Sequence, residues 1–363
     1  MKLQVTQQNL SKALNITARV ANTRNTLPIL SNILLKTVGN RLSVAATNLD
    51  IAITNYVGSK IEQKGAVTVP ARLMQDFITS LPEGILSLEL QENKLKITTD
   101  QYHSTINGIA ADDFPVMPTI SGGTPWAIAA QELKKSLQQV VFAAGSDDSR
   151  PVLTGVYFHS NDGEVYIVAT DSYRLAEKKL GKHRQAVSLL IPAGATQDLL
   201  RIISDGDEQV KIIHDEQQVL FEVGDTSLVA RLIDGKYPDY KKLIPAKFST
   251  VAMLKREDFN NITKVSSLFA RESAGSITIK ASQAQNQVSI NSIASQLGEN
   301  TASAPAEVSS DGEVTLNSRY LMDGLNAFSS EDVEFCFNGK LEPCVLRSQS
   351  EPNYVSLVMP LRS

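Results

Sequence analysis

The side chains able to do chemistry are few and scattered. The two cysteines, Cys336 and Cys344, flank Asn338-Gly339, a strong hairpin signal. Counting outward from that turn sets Cys336 opposite Leu341 rather than Cys344. Two buried, reduced thiols are therefore expected and no disulfide, which fits a cytoplasmic protein. The four histidines, His103, His159, His183 and His214, stand far apart, and none has a partner at metal-ligand spacing. Acidic pairs occur at Asp112-Asp113, Asp147-Asp148 and Glu331-Asp332, each in a turn-like stretch that reads as solvated turn rather than metal site. The chain contains no phosphate-cradling G-x-x-x-x-G-K-[ST] loop, no G-x-G-x-x-G after a strand, no G-x-S-x-G elbow and no H-E-x-x-H. The pattern favours binding or scaffolding over catalysis, with no metal and no cofactor.

The elements that position these groups must come from 363 residues, of which 42% are hydrophobic and 20% charged. That balance supports packed domains, two or three on length alone, and argues against disorder. Lys+Arg total 35 against 39 Asp+Glu, a net charge of −4, which excludes a binder coated uniformly in positive charge. No apolar run reaches the ~18 residues of a membrane span, and Met1-Lys2-Leu3-Gln4-Val5 lacks the apolar stretch of a secretory signal.

The chain repeats itself. Thr170 in Ile167–Tyr173 follows Thr47 in Val44–Asp50 by 123 residues, Pro192 follows Pro70 by 122, and Pro238 of Lys236-Tyr237-Pro238 follows Pro115 of Asp113-Phe114-Pro115 by 123. A third, more diverged copy places Val314–Arg319 against Val67–Arg72, with Asn317 lying 247 residues after Pro70, and closes on Val358-Met359-Pro360 where the first copy has Val116-Met117-Pro118. Three domains follow, at 1–122, 123–246 and 247–363.

Each copy opens with a helix whose apolar residues recur at helical spacing: Leu10, Leu14, Ile16 and Ala18; Leu133, Leu137, Val140 and Val141; Phe259, Ile262, Val265 and Leu268. Asn9 and Asp258 are candidate caps. Alternating strands follow, as in Leu30–Val38 and Arg41–Ala46. A second helix starts at Pro70 and at Pro192, with Asn317 or Ser318 taking the capping role in the third copy. The plan is α+β, two helices and about eight strands per unit, with helices on one side of antiparallel sheet. The six helices (6–24, 70–80, 131–144, 193–204, 255–268, 317–328) hold 11 basic and 6 acidic residues, a net of +5, leaving −9 elsewhere. A mildly basic helical surface would contact phosphates weakly, without reading bases. Its candidate contacts are Lys12, Arg19, Arg72, Lys134, Lys135 and Arg201.

Four tracts now carry a resemblance: Thr26–Ile33, Ala169–Ala176, Asp234–Tyr240 and Val358–Arg362. With the threefold repeat they make the whole chain resemble the bacterial sliding clamps, the beta subunits of DNA polymerase III. The resemblance implies a head-to-tail homodimer of three-domain chains closed into a ring, with twelve helices lining the pore and sheet outside. It implies a non-catalytic processivity factor that encircles duplex DNA without sequence specificity and is placed by an ATP-driven clamp loader complex. Implied partners are the alpha subunit of DNA polymerase III, other DNA polymerases and repair proteins carrying clamp-binding peptides.

By the same resemblance, an apolar groove takes those peptides. The matching positions are Leu153, Thr170, Ser172, Tyr173, Arg174, Leu175, Pro238, Lys242, Leu243, Ser273, Asn317, Tyr320, Leu341, Pro343, Val358, Met359, Pro360, Leu361 and Arg362. Leu, Val, Met and Pro would seat apolar anchors, while Arg and Asn orient the peptide. The chain departs from the family where Ser172-Tyr173 replaces Gly-His or Gly-Tyr, at Lys242 where Arg is common, at the small Ser273, and at the final Ser363. DNA contact by resemblance falls on Arg24 and Arg150, and the dimer join on the Ile106 strand and the Leu268 region. Two other readings are a clamp paralogue acting mainly as a peptide- or drug-binding module, and a three-repeat hydrolase using the acidic turns.

Overall fold

Helices form where the apolar spacing sets them. In the computed structural model, which describes residues 1–21, 27–120, 122–182, 186–294 and 298–361, they are α1 (Gln7–Ala21), α2 (Ala71–Ser80), α3 (Ala130–Val140), α4 (Ala193–Ile202), α5 (Arg256–Phe269) and α6 (Ser318–Asn326). Arg24, His183, Arg362 and Ser363 lie outside the described residues. α1 buries Leu10, Ala13, Leu14, Thr17, Ala18 and Ala21, one continuous stripe at helical spacing. Thr17 and Thr263 return their buried hydroxyls to the carbonyls four residues back, Ala13 and Phe259, so neither costs an unpaired group.

Three local expectations change. Asn9 and Asp258 sit inside the first turns of α1 and α5 rather than capping them; Lys255 holds the cap position of α5. Pro70 and Pro192 end strands, and the helices begin one residue later, because a proline's fixed φ also suits the extended residue before a helix. Asn317 does cap α6, its side-chain oxygen accepting from the N–H groups of Arg319 and Tyr320. The hairpin at Asn338-Gly339 is wider than a two-residue turn. Strands Asp332–Phe337 and Cys344–Arg347 pair with Cys336 opposite Val345, not Leu341. Asn338 is drawn away by bonds to the backbone of Lys247 and Ser249, so the loop runs on to Pro343. Both cysteines are free and buried; burial pushes the Cys336 thiol up to about 11 and raises Cys344 as well.

The chain divides into two compact units, residues 1–133 with 197–232, and 134–196 with 233–363. The first holds a five-stranded sheet, in the order 60–63, 2–6, 85–91, 94–98, 103–107, and an eight-stranded one, in the order 126–129, 209–214, 218–223, 226–231, 51–58, 41–47, 32–38, 66–70. The second holds a nine-stranded sheet, in the order 188–192, 155–161, 164–170, 174–182, 354–358, 344–347, 332–337, 250–255, 307–308, and a four-stranded one, in the order 298–305, 287–294, 276–282, 312–317. Every named pairing is antiparallel. The two large sheets are each built from two repeats. Strand 51–58 of the first repeat pairs with 226–231 of the second, and strand 174–182 of the second with 354–358 of the third.

At the second of these joints a buried carboxylate locks α3 to the end of α6. Glu351 accepts from the N–H groups of Ser329 and Ser330 at 2.7 and 2.8 Å, and from the Gln139 amide at 2.7 Å, with Lys135 Nζ 3.5 Å away. The Gln139 amide also reaches the Ala327 carbonyl, and the Tyr354 hydroxyl donates to the Gln139 carbonyl at 2.8 Å. Burial pushes the Glu351 carboxyl up, but these donors outweigh it and hold it below its ordinary value. A depressed carboxylate stabilises the fold above its unfolded pKa, and that contribution is lost as pH falls through the folded pKa. Glu351→Gln should therefore cost about 1–3 kcal/mol at pH 7 and less at the lowest pH at which the protein stays folded, read by urea denaturation at both pH values. An equal loss at both would exclude the charge as the cause.

Candidate functional site

Part of the groove set expected from the resemblance, Leu153, Tyr173, Arg174 and Tyr320, lines one cleft beside a turn, and Ser273 and Leu341 are not among its lining. Thr170, at the end of strand 164–170, donates its hydroxyl to the Arg174 carbonyl at 2.7 Å and accepts from the Ser172 N–H at 3.1 Å. Asp171 Oδ1 accepts from the N–H groups of Tyr173 and Arg174, both at 2.9 Å. Ser172 is thereby held at φ +79°, a conformation glycine takes freely, which accounts for glycine being common there in the resembled family. The turn projects Tyr173, 56% exposed, and aims Arg174 inward.

Arg174 is the hub. Its Nε meets Asp171 Oδ2 at 3.1 Å, its Nη1 bonds Asp323, and its guanidinium lies 4.7 Å from the Tyr320 ring centre and 5.5 Å from that of Phe142. Two carboxylates and two rings fix one planar cation, a job a lysine ammonium could not do. Tyr173 stacks on Tyr320 at 6.3 Å. Next to this pair a cleft of about 290 Å³ is lined by Ala144, Gly145, Ser146, Asp147, Arg150, Leu153, Asp171, Tyr173, Arg174, Arg319 and Tyr320. Arg150, expected on DNA, stands here: its Nη1 donates to Ser172 Oγ at 3.1 Å, with Asp147 3.7 Å away. Phe142, Asp171, Asp323 and Arg319 were not singled out from sequence. Asp171 lies in a tract that was, but α3 and α6 approach it only through folding.

The floor is apolar. Leu175 is buried in a cluster with Val168, Tyr237, Tyr240, Cys336, Val345 and Leu357, against which Met359 packs half-buried. Met359 N–H donates to the Tyr173 carbonyl and Leu361 N–H to the Thr315 carbonyl, both at 2.8 Å, so the segment after buried Val358 is held while Met359, Pro360 and Leu361 keep part of their surface open. Leu153 is buried to 6% and closes the floor beneath the cleft. The tract Asp234–Leu243 is anchored by Tyr240, whose hydroxyl bonds His159 and Glu177, and by Tyr237 stacked on Tyr157. Pro238, Lys242 and Leu243 project from it exposed, Lys242 being paired with Asp239 at 2.8 Å. Burial lowers the His159 pKa, and Lys241 adds to the effect. Asn317 is tied by its cap and by the Ala274 carbonyl. Ser273 turns back on the Ala270 carbonyl, Leu341 is 73% exposed in its loop, and Pro343 is half-buried.

The cations expected on DNA divide. Lys12 and Arg19 of α1 and Arg201 of α4 line one cleft of about 590 Å³, with Asp198 3.0 Å from Arg201. Burial raises the Asp198 pKa, partly offset by Arg201 and Arg19. Arg72 lies 3.9 Å from Asp76 on an exposed face of α2, Lys134 is on α3, and Lys135 is engaged with Glu351. Ile106 is buried to 5% within its own repeat, whereas Leu268, expected on the apolar face of α5, is 49% exposed, as is Val265 at 47%. The inward face of α5 is Phe259, Thr263 and Ser266 instead.

Comparison with known proteins agrees with this fold. The family descriptions "DNA polymerase III beta subunit" match in three parts: the N-terminal domain over residues 1–118, the central domain over 127–239 and the C-terminal domain over 241–362. The beta sliding clamp of Synechocystis sp. is 31% identical, covering 100% of this chain and 99% of its own, and that of Staphylococcus epidermidis is 29% identical, covering all of both. A solved Bacillus subtilis DNA polymerase sliding clamp superposes with a TM-score of 0.94 at 26% identity, over 100% of this chain and 99% of that one. The three repeats, the antiparallel sheets and the full-length matches lead to one conclusion: this chain belongs to the beta sliding clamp family, the beta subunits of bacterial DNA polymerase III.

Proposed function

We propose that the chain, a DNA sliding clamp by family, works as a head-to-tail homodimer of domains 1–122, 123–246 and 247–363, closed into a ring around duplex DNA. The observation that carries this reading is the fate of two sheet edges. Strands 51–58 and 174–182 each pair across a joint between repeats, and their counterpart, 247 residues after the first, is strand 298–305, which ends its sheet with its outer edge unpaired among the described residues. Strands 226–231 and 354–358 are the other halves of those joints, and their counterpart, 103–107, likewise ends its sheet with its outer edge unpaired among the described residues. Strand 298–305 of one copy meeting 103–107 of the next would repeat the joint a third time and remove both edges. Carrying over the register, with Ile51 opposite Ala230 and Arg174 opposite Val358, sets Gly298 opposite Asn107 and Glu299 opposite Ile106. Exposed Leu73 on α2 and exposed Val265 and Leu268 on α5 would be covered in the same step. Ile106 would extend a core rather than form the contact surface.

In this reading the Arg174–Tyr320–Met359 groove takes short apolar-anchored peptides from the alpha subunit of DNA polymerase III, the clamp loader complex, other polymerases and repair proteins. Its half-open Met359 and Leu361 give anchors a place to bury, and the fixed Arg174 rim orients them. The protein would act in the cytoplasm without catalysing a reaction. A Pseudomonas aeruginosa sliding clamp has been solved bound to griselimycin. That supports the second reading, a module taking peptide- or drug-like ligands, only if the ring does not form.

Three outcomes test this. Thr105→Pro removes an edge N–H and should convert a particle of twice the 39.5 kDa chain mass into a monomer on sedimentation, with unchanged helix content; a wild-type monomer at micromolar concentration would count against the ring. Met359→Ala with Leu361→Ala should weaken binding of a peptide from the polymerase's own C-terminus by about tenfold or more in calorimetry, and unchanged affinity would refute the groove. The loaded protein should stay on nicked circular DNA and leave once it is linearised, and persistence on unblocked linear DNA would contradict a topological tether.

A further inference from the structure

Helix α2 pairs its first-turn arginine with the carboxylate one turn on: Arg72 Nε stands 3.9 Å from Asp76 Oδ2. Helix α6 carries the same residue types at the same two places, Arg319 and Asp323, each 247 residues later. There the pair does not form. Asp323 turns to the Nη1 of Arg174 instead, and among the described residues Arg319 has no ion pair. Arg319 is exposed and lines the groove cleft with Tyr173, Arg174 and Tyr320.

The cleft is lined by three arginines whose charges are unequally neutralised. Arg174 sits between Asp171 and Asp323. Arg150 has Asp147 at 3.7 Å and Ser172 Oγ at 3.1 Å. Arg319 meets no carboxylate among the described residues. Its position also works against the helix. It is the second residue of α6, where the positive end of the helix dipole repels a cation, and the first turn contains no acid. Asn317 already occupies the N–H groups of Arg319 and Tyr320, so these backbone donors do not compete for an anion. The uncompensated charge in the lining is the Arg319 guanidinium.

We propose that Arg319 is a specificity-determining residue of the groove, selecting peptides that carry an acidic side chain next to their apolar anchors. The ligand's carboxylate takes the role that Asp76 plays for Arg72 and that Asp323 has given up. A guanidinium meets a carboxylate through two parallel N–H groups, which adds direction to charge. Asp323 thus acts twice: it holds Arg174 in place and leaves Arg319 free. The proposal rests on reading this cleft as the peptide groove. A DNA phosphate is the competing occupant. The stacked rings of Tyr173 and Tyr320 beside Arg319 favour a peptide, because they offer apolar surface that a phosphate does not use.

The probes are capped heptapeptides with two apolar anchors and one Glu moved through the remaining positions, each compared by calorimetry with its Gln isostere on the full chain. At one position or more, Glu should bind about fivefold tighter than Gln at low salt, and the ratio should shrink as salt is added. Arg319→Gln should bring that ratio to about one, and Arg319→Glu should invert it, which an unfolded variant could not do. A ratio near one at every position in the unmodified chain, or a preference that survives Arg319→Gln, would overturn the proposal. So would an Arg319→Gln variant that loses duplex DNA affinity while keeping its peptide selectivity, which would assign the residue to phosphate. A failure of the groove reads separately: the Gln peptides would then bind the Met359→Ala, Leu361→Ala chain as tightly as the unmodified one, or not bind either, and the proposal would fall with the groove.

Discussion

Main-chain pairing between repeats is the interaction on which the rest depends. Each repeat presents a strand edge that it does not cover itself, and an uncovered edge is a row of unpaired donors and acceptors. In this chain strand 51–58 finds 226–231 and strand 174–182 finds 354–358. The large sheets are therefore not the property of any one repeat. This is why the compact units cut through the second repeat: its strands 209–231 belong to one sheet and its strands 155–182 to another. The same ladder sets the groove, because it brings Val358, and with it Met359 and Leu361, alongside Arg174.

The joints share a backbone frame and differ in what fills them. Where 174–182 meets 354–358, Glu351 gathers Ser329, Ser330, Gln139 and Lys135 into a satisfied buried network. Where 51–58 meets 226–231, α1 and α4 leave an open cleft carrying Lys12, Arg19 and Arg201. The Thr-Asx turn is likewise common to both, at Thr47-Asn48 as at Thr170-Asp171, but one copy holds Arg174 between two aspartates and two rings while the other exposes Leu49. Duplicated geometry with diverged side chains gives distinct surfaces at little structural cost, since the turn is fixed by Thr and Asx side chains that are present in each copy.

Charge follows the same logic. A net of −4 conceals an excess of basic residues on the helices, and the fold divides even that excess. Lys135 is drawn into the Glu351 network, while Lys12 and Arg19 remain beside a partly buried Asp198; Arg150, outside the helices, is drawn to Ser172. A modest number of available cations suits contact with phosphates that is loose enough to slide.

The sequence by itself determined the threefold repeat, the two helices per repeat and the antiparallel strands, because periodicity, turn chemistry and the 123-residue spacing are local properties of the chain, while the grouping of Thr170–Leu175 with Val358–Leu361 came from the family resemblance. It determined less well how loops and helix faces are used. The Asn338-Gly339 signal marked a turn, yet Asn338 bonds to Lys247 and Ser249, some ninety residues away in sequence, and these partners set the width. The apolar spacing of α5 pointed Val265 and Leu268 inward, but the core there is filled from Phe259, Thr263 and Ser266. Tertiary structure alone decided that Arg150 stands beside Ser172, that Phe142 and Asp323 complete the cage around Arg174, and that strands 103–107 and 298–305, among the described residues, each keep one edge unpaired. Each of those facts depends on pairing between residues far apart in the chain, and spacing along one strand carries no information about which strand will lie beside it.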